Sequence, residues 1–423
     1  MSLKTWGVWA PVLGAVIATG MFCSGCGDYF RPVANPEPPT IGGNPLRSAH
    51  AVVLSSNGSS PGTAVIIDIP GDTEVGLFSG ETFGIGRNPV FATSIAGRDY
   101  VLNRDDNNVA SFTTPVAGTP LSLSVVTLPS GATPVFAAVA QSKVFVAESG
   151  LGLVADISSN APPIPVGANP VALVAPPSPN DTQLYSLNQG DNTVSIILPS
   201  TDQNITPTNP LQLPAGAKPV WAAASTDGTR IFVVNQGTSS VSVIDTVNNV
   251  LIPPGASCPQ DTFCVGSGPN YIFYDPTLNR FYITSPADGS LTIINNNVDT
   301  ATCVNSGATC VQKVFLNGAP CNGQHPVSVT ALADGSRAYV ADDVTNSLCV
   351  LDTTSNTFTK NIPVGLAPVF VVSDPDSRRV LTANSGSGAV SIIETDTDAP
   401  VPGNNGPLII PTDGTPTFIA VTD

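Results

Sequence analysis

Four stretches of the chain repeat one pattern: PVWAAASTDGTRIFVVNQGTSSVSVIDT from Pro219, PNYIFYDPTLNRFYITSPADGSLTIINN from Pro269, PVSVTALADGSRAYVADDVTNSLCVLDT from Pro326 and PVFVVSDPDSRRVLTANSGSGAVSIIET from Pro368. Each opens at a proline behind a Gly-rich entry. An apolar strand, a tight turn, a second strand, another turn and a third strand follow. A less regular segment then has room for a fourth strand and ends in Gly-x-x-Pro. Looser copies begin at Pro89, Pro134 and Pro170, the last with two extra residues in its first turn. Successive prolines from 89 to 416 are spaced 45, 36, 49, 50, 57, 42 and 48 residues apart. A four-stranded unit of about 40–50 residues is the period of a β-propeller blade. One such sheet cannot bury both of its faces, whereas blades stacked around an axis cover one another and leave only short edges.

The rest of the chain agrees with an all-β reading. Beyond Gly43 no stretch keeps a 3.6-residue apolar period for three turns without Gly, Pro or a β-branched cluster. Short runs rich in β-branched and aromatic residues, such as KVFVAES, TVSIIL and RVLTAN, lie between turn formers throughout. Second strands are expected around Val52, Tyr100, Phe145, Leu184, Phe232, Tyr282, Tyr339 and Leu381, and third strands around Ile66, Ala110, Ala155, Ile196, Val243, Ile293, Val350 and Ile392. Both series predict eight blades. The first unit is too short for an inner strand, because Pro45 lies only 12 residues before Asn57, against 16 from Pro219 to Asn235. At the other end PTFIAVT, after Pro416, reads as an inner strand with no second strand following it. The two defects complement each other. The last strand is expected to fill the innermost place of the first blade, beside Ala51 to Ser55, and so remove an exposed sheet edge. A fourth strand of that blade is expected near Val75 to Phe78.

The strings RIFVVNQGTSSVSVIDT, RAYVADDVTNSLCVLDT and RVLTANSGSGAVSIIET, with the entries Gly216–Pro219, Gly323–Pro326 and Gly365–Pro368, resemble the YVTN family of β-propeller repeats. The resemblance runs from about Ala49 to Asp423, strongest in the C-terminal half. It implies an extracytoplasmic propeller, with seven blades as the usual number in that family and the alternative to the count of eight. It implies little chemistry, because related propellers serve as surface-layer proteins, binding modules and some enzymes.

The first residues point to export. Lys4 precedes an apolar run from Trp6 to Phe22, followed by Cys23-Ser24-Gly25-Cys26. A charged start, an apolar run and small residues at the cut are the layout of a secretory signal. The cut resembles a lipobox, with Gly25 at −1 and Cys23 where leucine is usual. Residues 1–25 are therefore expected to form a bacterial lipoprotein signal peptide, with Cys26 as the lipidated residue. Residues 26–43, rich in proline from Tyr29 to Pro39, are expected to form a tether, and residues 44–423 the propeller. The expected location is the bacterial outer membrane, on its periplasmic or cell-surface side, with the lipid as the membrane contact. The net charge of −16 excludes a nucleic-acid partner, which requires basic patches, and argues against docking onto anionic lipid.

Six cysteines follow Cys26, all between 258 and 349. An even number in an exported chain predicts disulfides. Short separations suggest Cys258–Cys264 and Cys303–Cys310, which leaves Cys321–Cys349 or, alternatively, a free buried thiol at Cys349. Asn188, Asn235, Asn384, Asp342 and Glu148 end second strands. Asp68, Asp156, Asp245, Asp352 and Glu394 end third strands. For all of these, turn chemistry is the simpler role. The only histidines, His50 and His325, stand far apart in the blade order and form no zinc motif. No nucleophile elbow, P-loop or haem-attachment motif is present. Hence no catalytic, cofactor-binding or metal residues are predicted, although the turns at Arg104–Asn108 and Asn180-Asp181 offer the hard oxygens that calcium takes. The expected function is a cell-envelope binding or scaffold module for a protein or glycan ligand on a propeller face. The alternative is a lactonase-like hydrolase with its site at the axial mouth.

Overall fold

The computed structural model describes residues 50–69, 73–74, 83–113, 122–252, 263–297, 310–403 and 406–422. These build eight antiparallel blades in a closed ring. The inner strands of blades 2 to 8 are Pro89–Ile95, Pro134–Ala140, Pro170–Val174, Pro219–Ala224, Tyr271–Asp275, Pro326–Ala331 and Pro368–Ser373. Blade 1 takes its inner strand from the other end of the sequence: Thr415–Thr422 pairs with His50–Asn57, placing His50 opposite Thr422, Val52 opposite Ala420 and Leu54 opposite Phe418. That closing strand also packs against the inner strands of blades 2 and 8. The ring therefore closes as the two end defects of the repeat require, with eight blades. On its outer side blade 1 has Thr73–Glu74 and Phe83–Arg87. The strand expected at 75–78 lies outside the described residues.

Each blade is covered on both faces, so its middle strands lose the alternation of a half-exposed sheet. Arg230–Asn235 and Ser240–Asp245 are each buried at five of six positions. The core runs between consecutive blades. Phe232 and Val243 of blade 5 pack on Ile272, Phe281 and Ile283 of blade 6, where Phe232 and Phe281 stack 3.8 Å apart. Each such large side chain, fully buried, contributes about 1.5–3 kcal/mol.

Two faces follow from the antiparallel order. The entry face carries the loops into each blade and the turns between second and third strands. The far face carries the other two sets of turns. On the entry face the Gly-x-x-Pro spacing has a steric cause. A Cβ on Gly167 would lie 2.7 Å from the Asn188 side chain, and one on Gly365 would lie 2.8 Å from that of Asn384. Asn107, Asn192 and Asn346 occupy left-handed backbone positions, which asparagine tolerates. Their side-chain carbonyls accept the N–H of the residue before the next blade's proline: Thr133 at 2.8 Å, Lys218 at 2.7 Å and Ala367 at 2.7 Å.

The far face is tied blade to blade by a second device. In blades 3 to 7 a cation or tyrosine near the start of the second strand reaches the outer turn of the next blade. Lys143 binds Asp202 at 2.8 Å, the Tyr185 hydroxyl donates to Asn249 at 2.7 Å, and Arg230 donates to the Asn296 carbonyl. Arg280 donates to the Thr353 carbonyl at 2.9 Å, and Arg337 binds Asp398 at 2.7 Å. The five junctions from blade 3 to blade 8 are thus bridged in series.

Candidate functional site at the propeller axis

The residue two places after the entry proline of each blade approaches the axis. In six blades it is aromatic: Phe91, Phe136, Trp221, Tyr271, Phe370 and Phe418. Neighbouring rings touch all the way round. Phe91 lies 4.1 Å from Phe136, which is 5.0 Å from Trp221, itself 5.0 Å from Tyr271. Tyr271 lies 5.1 Å from Phe370, which is 4.6 Å from Phe418, and Phe418 returns to Phe91 at 4.7 Å. Trp221 also reaches within 6.3 Å of both Phe91 and Phe370. The two remaining places hold Ala172 and Ser328, both buried. They let rings two blades apart meet, Phe136 with Trp221 and Tyr271 with Phe370. The result is an aromatic collar across the axis. T-shaped and tilted pairs of this kind add about 0.5–1.5 kcal/mol each beyond area burial.

Phe91, Trp221, Tyr271 and Phe370 remain half-buried at the centre of the disc. The inner strands of blades 2, 5 and 8 are enclosed at their first and fourth positions and partly open at the second, third, fifth and sixth. Toward the far face the half-buried fifth positions are the small Thr93, Ala138, Ala223 and Ala420 and the larger Phe273 and Val372. Collar and walls together make an axial well with an aromatic floor. Burial pushes the Tyr271 phenol well above its ordinary range. The turns between first and second strands stand around this mouth and bond to one another. Gln141 donates its N–H to Asp181 at 2.6 Å, Asn180 to the Asp227 carbonyl at 3.2 Å, and Thr277 to the Ala333 carbonyl at 2.7 Å.

The residues singled out by sequence fall mostly outside the well. Asn188, Asn235 and Asn384 are fully buried and donate to hydroxyls of the third strand: Asn188 to Thr193 and Ser195, Asn235 to Ser240 and Ser242, and Asn384 to Ser391. None of the three takes a left-handed backbone; Asn192, Ser239 and Gly388 of the turns that follow them do. Asp342 accepts the N–H groups of Gln324 and His325 at 2.5 and 2.6 Å. Glu148 departs from this scheme. It faces Leu153 in blade 3, is fully buried, and has no hydrogen-bond partner for either oxygen. Burial raises its pKa. Asp156, Asp245 and Asp352 accept turn N–H groups from Ser158, Val247 and Ser355, as turn chemistry predicts.

The remaining candidates are placed as follows. Cys321 and Cys349 form a disulfide with Cα atoms 5.3 Å apart, between the entry loop and third strand of blade 7. Cys264 and Cys310 are also disulfide-bonded. Cys258, Cys303 and Cys26 lie outside the described residues. In the turn offered to calcium, Asp106 instead accepts the Arg87 N–H at 2.7 Å and its guanidinium at 2.5 Å, and these bonds lower its pKa. Asp105 accepts from Asn88 at 3.1 Å. His325 stands on the entry face, with Nδ1 2.7 Å from an Asp343 carboxylate oxygen. The collar was not picked out from sequence, although its signal is there: an aromatic two residues after the entry proline in six of eight units.

The sequence matches no protein-family model and no curated protein. Solved structures do resemble it. Apo AztD from Citrobacter koseri superposes with a TM-score of 0.61 at 12% identity, covering 89% of this chain and 98% of that one. A "putative 6-phosphogluconolactonase" from Bacteroides fragilis gives 0.57 at 14% identity, covering 90% of this chain and 100% of that one. Hydrazine synthase from Kuenenia stuttgartiensis gives 0.54 at 17% identity, covering 73% of this chain and 96% of that one. At these identities the likeness defines a class, the β-propellers, and nothing finer.

Proposed function

We propose that this chain is a binding or scaffold module of the bacterial cell envelope, of YVTN-repeat type, exported and held to the outer membrane by lipid on Cys26. The observation that carries the reading is the collar. The axis of this disc is filled by mutually packed aromatic rings, where a hydrolytic propeller would need acid, base and electrophilic groups converging in a pocket. The polar side chains that recur from blade to blade are spent on ties within and between blades. What remains for recognition is the axial well and the loops of the two faces, suited to a protein, glycan or small ligand. The test is a pull-down from detergent-solubilised membranes with the full chain, using as control a variant unfolded by loss of its closing strand. A partner recovered by the folded chain alone supports the module; turnover of a lactone by purified protein overturns it.

One observation favours the second reading, a lactonase-like hydrolase. His325 and Asp343 form a base and an orienting carboxylate on the entry face, the pairing that holds an imidazole for proton transfer. A panel of lactones assayed with the wild-type chain and His325→Ala decides this. Histidine-dependent hydrolysis supports the enzyme, and equal background rates dispose of it.

A further inference from the structure

We propose that the axial well on the far face is a binding site for a small organic cation of the quaternary ammonium kind. The inference deepens the binding-module reading and rests on it. Three features lead there, each in a different part of the well.

The floor is the collar, six rings that present π-faces and edges where the inner strands converge. Four of them keep accessible surface in the middle of the disc. A closed set of aromatic rings attracts a cation through their quadrupoles, most strongly at tryptophan. Trp221 has the most contacts in the collar, touching Phe136, Tyr271, Phe91 and Phe370. The fifth positions carry no charge; Thr93, Ala138, Ala223 and Ala420 are small, and Phe273 and Val372 are larger and apolar. Three residues of strand beyond the collar give a depth of about 10 Å, enough for a trimethylammonium head and a short tail. No basic side chain stands at the fifth positions to hold an anion.

The rim supplies the sign. The turns between first and second strands of blades 4, 5, 7 and 8 carry Asp181, Asp227, Asp334 and Asp376, of which the last three are exposed. Arg378 is the one cation in these turns among the described residues. Of the arginines at the neighbouring strand starts, Arg280 turns to the Thr353 carbonyl and Arg337 to Asp398 of the next blade, while Arg379 lies 3.7 Å from Glu394 of its own blade. A mouth with an excess of one charge sign above low-dielectric walls concentrates counter-ions and raises their association rate. In a chain of net charge −16 the rim and the whole-molecule field act in the same direction. Rim and floor thus select for one class: a positive charge on a compact, weakly hydrated, apolar body.

The sequence provides its own reporter. Trp6 and Trp9 lie in the expected signal peptide, so Trp221 is the only tryptophan of the expected mature chain. The purified lipidated mature chain in detergent is titrated with choline chloride, with its neutral isostere 3,3-dimethylbutan-1-ol, and with sodium chloride at matched ionic strength. Trp221 emission should change saturably with choline alone. By calorimetry, Trp221→Phe, which keeps a ring in the collar, should weaken choline binding about 2- to 10-fold. Asp227→Asn with Asp334→Asn should weaken it at low salt and flatten its salt dependence. Circular dichroism confirms that each variant is folded. No saturation with choline, or equal binding of the neutral isostere, overturns the proposal. If membranes yield a partner while choline leaves Trp221 unmoved, the module stands and the cation site falls. If choline binds and no partner is recovered, the well is a small-ligand site and the scaffold role falls.

Discussion

Deleting residues 416–423 tests how the ring is held shut. The deletion removes nearly all of the strand that pairs with His50–Asn57 through seven residue pairs. It takes out Phe418 and Ile419, 7% and 0% exposed, and uncovers Val52 and Leu54, which are 0% exposed. Burial of Phe418 and Ile419 alone is worth about 1.5–3 kcal/mol each. The loss is therefore about 3–6 kcal/mol before the newly wetted edge of blade 1 is counted. Domains are stable by about 5–15 kcal/mol, so the truncated chain should be largely unfolded or insoluble at growth temperature. Ile419→Ala supplies a graded version and should cost about 2–5 kcal/mol. The assays are thermal melting by circular dichroism and the soluble fraction after expression. A synthetic peptide of residues 415–423, added during refolding, should restore the melt by taking the vacant place. An unchanged melting midpoint in the truncated chain would refute the closure argument, and a peptide without effect would separate strand pairing from general loss of mass.

Three further outcomes follow from single sites. Replacing Cys321 and Cys349 together by alanine should cost about 3–4 kcal/mol through the loop they close, read by urea unfolding under non-reducing conditions. Ala367 has φ of 47° immediately before a proline. A left-handed alanine costs about 1–2 kcal/mol and glycine returns part of that as chain entropy, so Ala367→Gly should raise the unfolding free energy by about 0.5–1 kcal/mol. Glu148, its pKa raised by burial alone, holds its proton in the folded state above the pH at which the unfolded chain releases it. Its folded-state penalty is thus absent below the unfolded pKa and grows as pH rises towards the folded one. The unfolding free energy of the wild type relative to Glu148→Gln should therefore fall as pH rises across that range; a difference that stays constant would show that Glu148 does not titrate in this way.

Much of this architecture is legible because the repeat carries it. The entry proline, the second-strand Asn and the left-handed turn residue recur at fixed offsets, and a missing inner strand at one end matches an unpaired strand at the other. What the sequence hides is geometry across the axis. Phe91 and Trp221 are 130 residues apart, and in their own repeats each reads as an ordinary apolar strand residue. Only closing the ring brings them together. The far-face ties are hidden for the same reason. Arg280 reads as the polar start of a strand, and its partner, the Thr353 carbonyl, belongs to the next blade. Within one repeat a turn asparagine offers only local bonds. Asn107, Asn192 and Asn346 are local in their backbone conformation but long-range in their side-chain bonds, which join each blade to the next.

A ring of equivalent blades has a geometric difficulty at its centre, and the way this chain meets it indicates where to look for function. Eight identical side chains at one level must either leave a hole, if small, or collide, if large. Six aromatics and two small residues fill the level, and the small ones, Ala172 and Ser328, sit where rings from the flanking blades meet. Strict repetition would serve folding equally well in any blade, so breaks in it separate structural demand from other demands. Ala172 and Ser328 are explained by packing. Glu148 is not, because Asn at that place in blades 4, 5 and 8 finds hydroxyl partners that Leu153 cannot offer. Packing alone also leaves unexplained a tryptophan in blade 5 where phenylalanine serves blades 1, 2, 3 and 8. A phenylalanine would continue the collar with less bulk. The indole reaches toward rings on the opposite side of the axis and deepens the π-surface of the floor. The break in the collar that packing leaves unexplained thus lies on the side chain whose fluorescence reports what enters the well.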